Sequence, residues 1–181
     1  MNQINLFKSI VLIGISIFFL FMIVKNQASL YRWKSVNENF LYRDYELKNY
    51  QNLSFQLENS GFFFFDYTQK LIALGKLREA NSVLKNEVLT RRTTIKLLIL
   101  RGDVQLSLND TINAIENYKR ACFIVPHSLT SKYRLMKTNL ELKDTIEGYF
   151  WANSILHERV KIRSPASDSI QKEVIHFLTK K

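Results

Sequence analysis

Cysteine is almost absent from this sequence of 181 residues, which contains only Cys122. A single cysteine cannot form a disulfide within the chain, and it does not supply the paired thiolate ligands of a structural zinc site. Cys122 follows Ala121 in a predicted helix, where a free thiol is usually packed as a small apolar group. The cysteine content therefore leaves the redox compartment of the protein undetermined.

Proline and glycine are also scarce, with two and five copies. Few residues are therefore available for tight turns, which makes a structure rich in β-hairpins improbable. Hydrophobic residues make up 46% and charged residues 23% of the chain, a balance typical of a folded protein. These proportions favour an all-α fold of helices joined by short connections.

The sequence lacks the motifs of familiar catalytic and cofactor sites. It contains no G-x-S-x-G, no H-E-x-x-H, no glycine-rich phosphate loop and no paired-carboxylate pattern. His127, His157 and His176 are far apart, and none has a partner at metal-ligand spacing. We therefore predict that the protein is not an enzyme, and that it has no catalytic residue, no metal, no cofactor and no small-molecule substrate.

Acidic residues are the scarcer charge, with 16 Asp and Glu against 26 Lys and Arg, for a net charge of +10. Such an excess suits acidic partners, including anionic lipids, glycans and nucleic acid. The basic residues are scattered, however, and the aromatic residues follow helical core spacing instead of a basic stripe. We therefore predict a solvated basic surface and no nucleic-acid partner.

One long apolar run is present near the N-terminus. Residues 9–24 carry no charge and are flanked by Lys8 and Lys25. Leu6 and Phe7, just before Lys8, lengthen the apolar segment to residues 6–24. About 20 apolar residues cross a hydrocarbon core of about 30 Å, and flanking lysines can reach the head groups. We predict that residues 6–24 contact the membrane as a transmembrane helix.

The residues after this run bear on how the segment is used. Tyr31 and Trp33 follow at the depth where aromatic residues collect at a membrane interface. A cleaved signal peptide is the alternative, but the KNQAS flank has no clear small-x-small cleavage site. We predict an uncleaved membrane anchor at residues 1–27, which makes the chain a single-pass membrane protein; the inner membrane is the location that the family resemblance described below implies.

The flanking charges give one estimate of orientation. The α-amino group and Lys8 precede the run, whereas Lys25, Arg32, Lys34 and Arg43 follow it. By the positive-inside rule, this distribution places residues 28–181 in the cytoplasm.

Residues 94–126 are the most informative stretch of the remainder. Their apolar spacing predicts two amphipathic helices joined by a turn at Asn109–Asp110. They match the tetratricopeptide pattern, W-x2-L-G-x2-Y followed by A-x3-F and a proline that ends the second helix. The repeat-defining residues of this stretch are Leu98, Gly102, Ala114, Tyr118, Ala121 and Pro126.

Three positions of this stretch depart from the pattern. Leu98 replaces Trp, Gln105 replaces Tyr, and Arg101 occupies a position that is normally apolar. We expect Arg101 to extend towards solvent or to pair with an acidic residue.

The neighbouring stretches repeat the pattern at a spacing of about 34 residues. Ala80, Ala114 and Gly148 place a small residue at the start of three successive second helices. The other repeat-defining positions outside the central stretch are Phe64, Thr68 and Ala152. Because each hairpin has an apolar face that it cannot cover alone, stacking of successive hairpins creates the core.

We therefore predict an all-α fold with an N-terminal transmembrane helix, then a tetratricopeptide-like solenoid of helical hairpins at residues 28–181, and a C-terminal capping helix. A short extended link is expected at 160–163. The predicted hairpins lie at about 29–58, 62–90, 94–126 and 129–158, and the capping helix lies at about 165–179.

In a tetratricopeptide fold the first helices of the hairpins line a groove that can bind an extended or helical peptide. A protein-binding groove is therefore the candidate site. Phe62, Phe65 and Tyr133 could instead pack against neighbouring helices, and the sequence does not decide between the two. The predicted groove residues are Phe62, Phe65, Gln69, Lys96, Asp103, Tyr133 and Lys137.

Four segments together resemble a known family. They are Tyr31-Arg32-Trp33-Lys34 after the apolar run, FFFFDYTQKLIALGKLREANSVL, LRGDVQLSLNDTINAIENYKRACFIVPHSLTSKYRLMK and VKIRSPASDSIQKEV. The chain resembles the C-terminal end of O-antigen ligase-like polysaccharide membrane proteins of Gram-negative bacteria. In that family a last transmembrane helix leads into a periplasmic tetratricopeptide domain.

This resemblance implies a periplasmic location for residues 26–181, opposite to the estimate from the flanking charges. Nothing in the chain matches the catalytic part of the ligases, whose chemistry depends on basic residues around a large periplasmic loop. The resemblance therefore implies a detached tail domain without catalytic residues.

The expected function is a non-catalytic, membrane-anchored scaffold for protein–protein interaction in the cell envelope, with surface-polysaccharide (O-antigen) assembly as the process that the resemblance suggests. One alternative is the regulatory tail of a split O-antigen ligase-type glycan transferase. Another is an adaptor that faces the cytoplasm.

Overall fold

The computed structural model of the chain describes residues 3–38, 43–58, 60–89, 93–159 and 164–179. Within these ranges all regular structure is helical and there is no strand. The predicted link at 160–163, and residue 90 at the end of one predicted hairpin, lie outside the described residues. The helices are α1 (Gln3–Glu38), α2 (Arg43–Ser54), α3 (Gly61–Ala73), α4 (Leu77–Leu89), α5 (Ile95–Ser107), α6 (Thr111–Ile124), α7 (Leu129–Glu141), α8 (Thr145–Leu156) and α9 (Pro165–Thr179).

The chain forms two compact units, Met1–Tyr67 and Thr68–Lys181, whose boundary falls inside α3. In the first unit, α1 crosses the predicted boundary between residues 27 and 28 without a break. Residues 11–28 of this helix are exposed throughout, and packing begins at Ser29, which is 1% exposed. The first helix of the predicted 29–58 hairpin is therefore the continuation of the apolar helix.

Aromatic side chains form the core of the first unit. The Trp33 ring of α1 packs edge-on against Phe63 of α3, with ring centroids 5.8 Å apart. Tyr50 of α2 stacks on Tyr67 at 5.3 Å and is fully buried. Asp66 accepts hydrogen bonds from the Trp33 Nε1–H (2.9 Å) and from the Tyr50 hydroxyl. This carboxylate on α3 therefore connects to α1 and α2.

The second unit contains the predicted repeats. Ala80 and Ala114 have no exposed surface, and Gly148 is also buried. A Cβ on Gly148 would lie 2.7 Å from Cγ of Leu140 on the preceding helix, too close for van der Waals contact. A small residue at the start of each second helix therefore permits close approach to the first helix, as the repeat pattern predicts.

The other repeat-defining residues are also buried, apart from Pro126, which is exposed just beyond the end of α6. A Cβ on Gly102 would lie 2.8 Å from two ring carbons of Tyr118, so this pair fixes the contact of α5 with α6. The buried members are Phe64, Thr68, Leu98, Gly102, Tyr118, Ala121 and Ala152.

The turns inside the hairpins repeat as closely as the helices. Gly75, Asn109 and Lys143 have positive φ angles of 71°, 62° and 62°, and successive members are separated by one repeat. After each, the next backbone N–H returns to a carbonyl five residues earlier, as in Lys76 N to Leu71 O (2.9 Å), the bonding of a Schellman helix end. Glycine is the natural residue at such a position, and Asn109 tolerates it better than a branched residue would.

The last helix completes the core of the second unit. Val174 of α9 is fully buried against Met136 of α7 and Ile155 of α8. Trp151 of α8 packs on this cluster and also on the cluster that contains Tyr118. The core therefore runs continuously from α5 to α9, and α9 covers its end as the predicted capping helix.

Candidate protein-interaction surface

The first helices of two successive hairpins carry four of the predicted groove residues. Lys96 and Asp103 are two turns apart on α5, and Tyr133 and Lys137 are one turn apart on α7, so each pair lies on one side of its helix. We call the surface formed by these four residues the α5–α7 face. All four keep some exposure to solvent.

Asp103 holds α5, α6 and α7 together at this face. Its Oδ1 accepts a hydrogen bond of 2.6 Å from the Tyr118 hydroxyl, and its Oδ2 accepts one of 3.0 Å from Nη2 of Arg134. Burial, followed by this hydrogen bond to Asp103, raises the pKa of Tyr118 well above its ordinary value. The Tyr118 hydroxyl therefore remains a donor, and the orientation of the Asp103 carboxylate is fixed.

A second polar cluster links α7 with α9. Glu173 accepts hydrogen bonds from the Tyr133 hydroxyl (2.6 Å) and from Lys137 Nζ (3.1 Å), which also lies 5.8 Å from the centre of the Tyr133 ring. The bond from Tyr133, and then the bond from Lys137, lower the pKa of Glu173. Burial, and then Glu173, raise the pKa of Tyr133. These contacts hold Tyr133 and Lys137 in one position on the face.

The other predicted groove residues have different settings. Lys96 is exposed and forms no ion pair with any residue that the structure describes. Gln69, on the part of α3 that belongs to the second unit, is exposed. Phe62 and Phe65 belong to the first unit, where Phe62 is 76% exposed and Phe65 is half-buried.

Sequence reasoning missed Arg134 and Glu173, the charged partners that order this face. The available signal was charge complementarity, because each lies close to one repeat length after its partner, Asp103 or Lys137. Residues at equivalent positions of successive first helices are neighbours in a stacked repeat. Opposite charges separated by about one repeat length are the feature that both pairs share.

A third polar cluster lies at a position that is apolar in the tetratricopeptide pattern. Lys132 lies one repeat after Leu98, at the position where the tetratricopeptide pattern has Trp. Its side chain is only 10% exposed. It forms an ion pair with Glu158, which also lies 2.5 Å from Nδ1 of the exposed His127. The bond from Lys132 is the main cause that lowers the pKa of Glu158. This cluster joins the start of α7 to the end of α8.

Arg101 is half-buried, and its Nε has no hydrogen-bond partner among the described residues. Burial, and then the nearby positive charge of Arg120, lower its pKa, whereas Glu116 and Asp110 act in the opposite direction. Acidic residues therefore lie near Arg101, but the expected ion pair is not present among the residues that the structure describes.

The second unit has a surface whose side chains can bind another molecule directly. No group of three or more His, Cys, Asp or Glu side chains that could hold a metal occurs in the part of the chain that the structure describes. The α5–α7 face instead presents a tyrosine, two lysines and an oriented carboxylate on rigid helices. Such a surface can bind a peptide through charged and aromatic contacts.

One helix of the described residues is long and apolar enough to cross a membrane. This segment is Val11–Lys34, near the N-terminus, and its most apolar part is not buried within the protein. The criterion rests on length and composition alone.

Comparison with known proteins agrees with the architecture. The chain has an all-α, tetratricopeptide-like helical-repeat fold. The crystal structure of MamA protein is similar to it, with a TM-score of 0.65 and 11% identity over 86% of this chain and 89% of that one. No protein-family model matches the sequence. No curated protein matches it either, so the resemblance to O-antigen ligase-like proteins stays a prediction.

Proposed function

We propose that this protein is a membrane-anchored, non-catalytic scaffold that binds a protein partner in the cell envelope through the α5–α7 face. The observation that supports the proposal is that the side chains of this face are held in fixed positions. Asp103, Tyr133 and Lys137 are each fixed by a contact to another helix, yet each remains open to solvent on one side. Side chains that are ordered before binding lose little entropy when a partner docks.

The chemistry of the face favours an acidic peptide segment. Lys96 is an exposed cation without an ion-pair partner among the described residues, and Asp103 is already neutralised by Arg134. An incoming carboxylate would therefore meet an unmatched positive charge at Lys96. The wider predicted groove, which also includes Gln69, Phe62 and Phe65, stays a prediction.

Site-specific crosslinking tests this proposal. A photo-crosslinking amino acid at Lys96 or at Tyr133 should capture the same envelope protein in living cells. The matched control carries it at Lys85, an exposed lysine of the second helix α4. Capture of only cytoplasmic proteins, or identical products from Lys85 and Lys96, would contradict the proposal.

We propose that α1 is retained as the membrane anchor. Cleavage within the KNQAS flank would cut α1 just before Ser29 and Trp33, the residues through which it packs on the rest of the first unit. A continuous helix from the apolar run into this packed segment supports retention. The mass of the protein purified from membranes should correspond to the intact chain, and a mass that lacks residues 1–27 would contradict retention.

We propose that residues 28–181 face the periplasm, as the family resemblance implies, despite the basic residues that follow the apolar run. A C-terminal alkaline phosphatase fusion should be active, because this enzyme folds only in an oxidising compartment. An inactive fusion, together with an active cytoplasmic reporter at the same position, would favour the cytoplasmic adaptor.

A finer form of the proposal concerns surface polysaccharide. If the partner is a polytopic glycan transferase, the chain acts as its detached regulatory tail. Deletion of the gene should then change the length distribution of the lipopolysaccharide, and the crosslinked partner should be that transferase. An unchanged lipopolysaccharide profile would reject this form and leave the scaffold proposal intact.

A further inference from the structure

Two large aromatic side chains are exposed in the part of the first unit that the structure describes after α1. Phe55, in the turn after α2, is 80% exposed, and Phe62, at the start of α3, is 76% exposed. Leu57, two residues after Phe55, is buried at 3% exposure, so this part of the turn is packed against the unit while the rings of Phe55 and Phe62 are exposed. We call residues 55–58, together with Phe62 at the start of α3, the aromatic turn.

Contacts within the first unit place the aromatic turn beside the end of the apolar run. The Ser29 hydroxyl of α1 donates to Oε1 of Gln56, the residue after Phe55, at 2.5 Å. Further along α1, Trp33 contacts Phe63 and Asp66, which lie progressively later on α3. The start of α3 therefore packs beside Trp33, and Gln56 of the preceding turn lies beside Ser29, one helical turn closer to the apolar run.

The depth of the turn follows from helix geometry. Ser29 lies five residues beyond Val24, the last residue of the uncharged run, which corresponds to about 7 Å along a helix axis. The interfacial layers add roughly 5 to 8 Å on each side of a hydrocarbon core of about 30 Å. With residues 9–24 across the membrane, Gln56 and Phe55 thus lie at the level of the lipid head groups.

Trp33 cannot serve as the interfacial aromatic that its position in the sequence indicates. Its ring packs on Phe63 and its Nε1–H is bonded to Asp66, so it belongs to the core of the first unit. Tyr31 is 70% exposed and remains available, but it is a single residue on one side of α1. The aromatic turn supplies exposed rings at this depth from a second part of the unit.

We propose that the aromatic turn inserts Phe55 and Phe62 into the interfacial layer of the membrane that α1 crosses. The first unit then contacts the bilayer at two places, and it is held upright on the membrane instead of rotating about α1. The occupant of this apolar patch is the lipid surface itself, because α1 brings the patch to it. Exposed Lys25 and Arg32 on α1 suit the anionic head groups. This inference rests on the proposed membrane anchor.

Depth-dependent quenching in lipid vesicles tests the inference. The full chain, with Cys122→Ser, carries one NBD-labelled cysteine at Phe55, at Phe62, at Ile17 in the apolar run, or at exposed Ser82 of α4. Vesicles of phosphatidylcholine and phosphatidylglycerol contain nitroxide lipids labelled either at the head group or deep in the acyl chain. We expect the probes at 55 and 62 to lose fluorescence with the head-group quencher, the probe at 17 with the deep quencher, and the probe at 82 with neither.

Three other results would contradict the inference, and they differ in what they imply for the membrane anchor. Quenching at 17 without quenching at 55 and 62 overturns the aromatic turn and leaves the anchor standing. Quenching at 82 equal to that at 55 shows adsorption of the whole protein and also overturns the inference. Absence of deep quenching at 17 overturns the anchor, and the inference fails with it.

A second measurement tests the two phenylalanines themselves. A probe at exposed Glu58, inside the turn, should lose its head-group quenching in the double variant Phe55→Ser/Phe62→Ser. The matched control is Ile112→Ser/Ile146→Ser, which removes two side chains of similar exposure, 84% and 83%, from the second unit. Unchanged circular dichroism in both variants establishes that they fold. Equal quenching in both would show that the phenylalanines do not hold the turn in the membrane.

Discussion

At the scale of single residues, one glycine and one lysine show two different ways in which a repeat position is packed. Gly102 follows the tetratricopeptide pattern, because the ring of Tyr118 occupies the space of its Cβ. Lys132 departs from it, because a buried cation with a carboxylate partner replaces a large apolar side chain. The Gly102 contact depends on complementary shape, whereas the Lys132 contact depends on opposite charges.

Replacement of Gly102 by alanine should destabilise the protein. The added methyl group overlaps the fully buried Tyr118 ring, and overpacking costs about 1–3 kcal/mol. Alanine recovers about 1 kcal/mol of helix propensity, so we expect a net loss of about 1 kcal/mol in thermal unfolding of the detergent-solubilised chain. Ser82→Ala, at an exposed position of α4, should change stability by less than about 0.5 kcal/mol. Equal stability of the two variants would contradict the close contact.

Glu158 should make stability depend on pH. Its pKa is lowered, chiefly by Lys132, from an ordinary value of 4.5. The stabilisation is therefore complete above pH 4.5 and is lost as the pH falls through the lower, folded-state pKa. Glu158→Gln should cost about 3 kcal/mol at pH 7, because Lys132 is left buried without a countercharge.

The decisive measurement is the difference in unfolding free energy between wild type and Glu158→Gln as a function of pH. This difference should shrink below pH 4.5, because a protonated Glu158 resembles glutamine. Glu141→Gln, at an exposed position of α7, serves as the control and should show little difference at any pH. A Glu158 difference that stays constant with pH would contradict the role assigned to the ion pair.

At the scale of helices, Asp103 shows how one side chain can order three elements. It lies on α5, accepts a hydrogen bond from Tyr118 on α6, and pairs with Arg134 on α7. The two interactions differ in environment, since the Tyr118 side chain is fully buried whereas Arg134 is 42% exposed. Loss of the first should therefore matter more than loss of the second.

Asp103→Ala should accordingly destabilise the protein more than Arg134→Gln does. The alanine leaves the Tyr118 hydroxyl without its acceptor, at a cost of about 2 kcal/mol. Removal of the half-exposed cation costs about 0.5 kcal/mol. Asp103→Asn, which retains an acceptor for Tyr118, should fall between the two. Chemical or thermal unfolding of the three variants tests this order, and equal costs for alanine and asparagine would contradict it.

At the scale of the whole molecule, the second unit has the connectivity of a repeat protein. Helix α9 packs on α7 and α8, and these in turn pack on α5 and α6 through a shared core. In such arrays a local perturbation spreads to neighbouring repeats and weakens with distance. Stability should therefore be unevenly distributed along this unit.

Truncation of Val174 tests that distribution. Val174→Ala removes a fully buried side chain of α9 and should cost about 2 kcal/mol locally. Hydrogen exchange should accelerate more in α7 and α8 than in α5 and α6. The neighbouring Ile175→Ala, at a position 49% exposed, is the matched control and should have little effect. Uniform acceleration across all five helices would contradict the nearest-neighbour picture.

The repeat architecture could be predicted from the sequence because a close helix contact requires a small residue in every copy. Ala80, Ala114 and Gly148 therefore carry the repeat length in the chain itself, and the comparison with known structures confirms the fold. The equivalent turns at Gly75, Asn109 and Lys143 were less visible, since only one of them is the expected glycine. Backbone conformation is conserved there while residue type is not.

The sequence by itself thus determined the helical content, the repeat length and the apolar helix, because each depends on local spacing of residue types. Only the tertiary structure decided which charges meet, as in Asp103 with Arg134 and Lys132 with Glu158. It also decided that Trp33 packs inside the first unit and that Phe55 is exposed. Such contacts join residues 26 or more positions apart. They depend on the register and angle at which helices pack, which local periodicity does not encode.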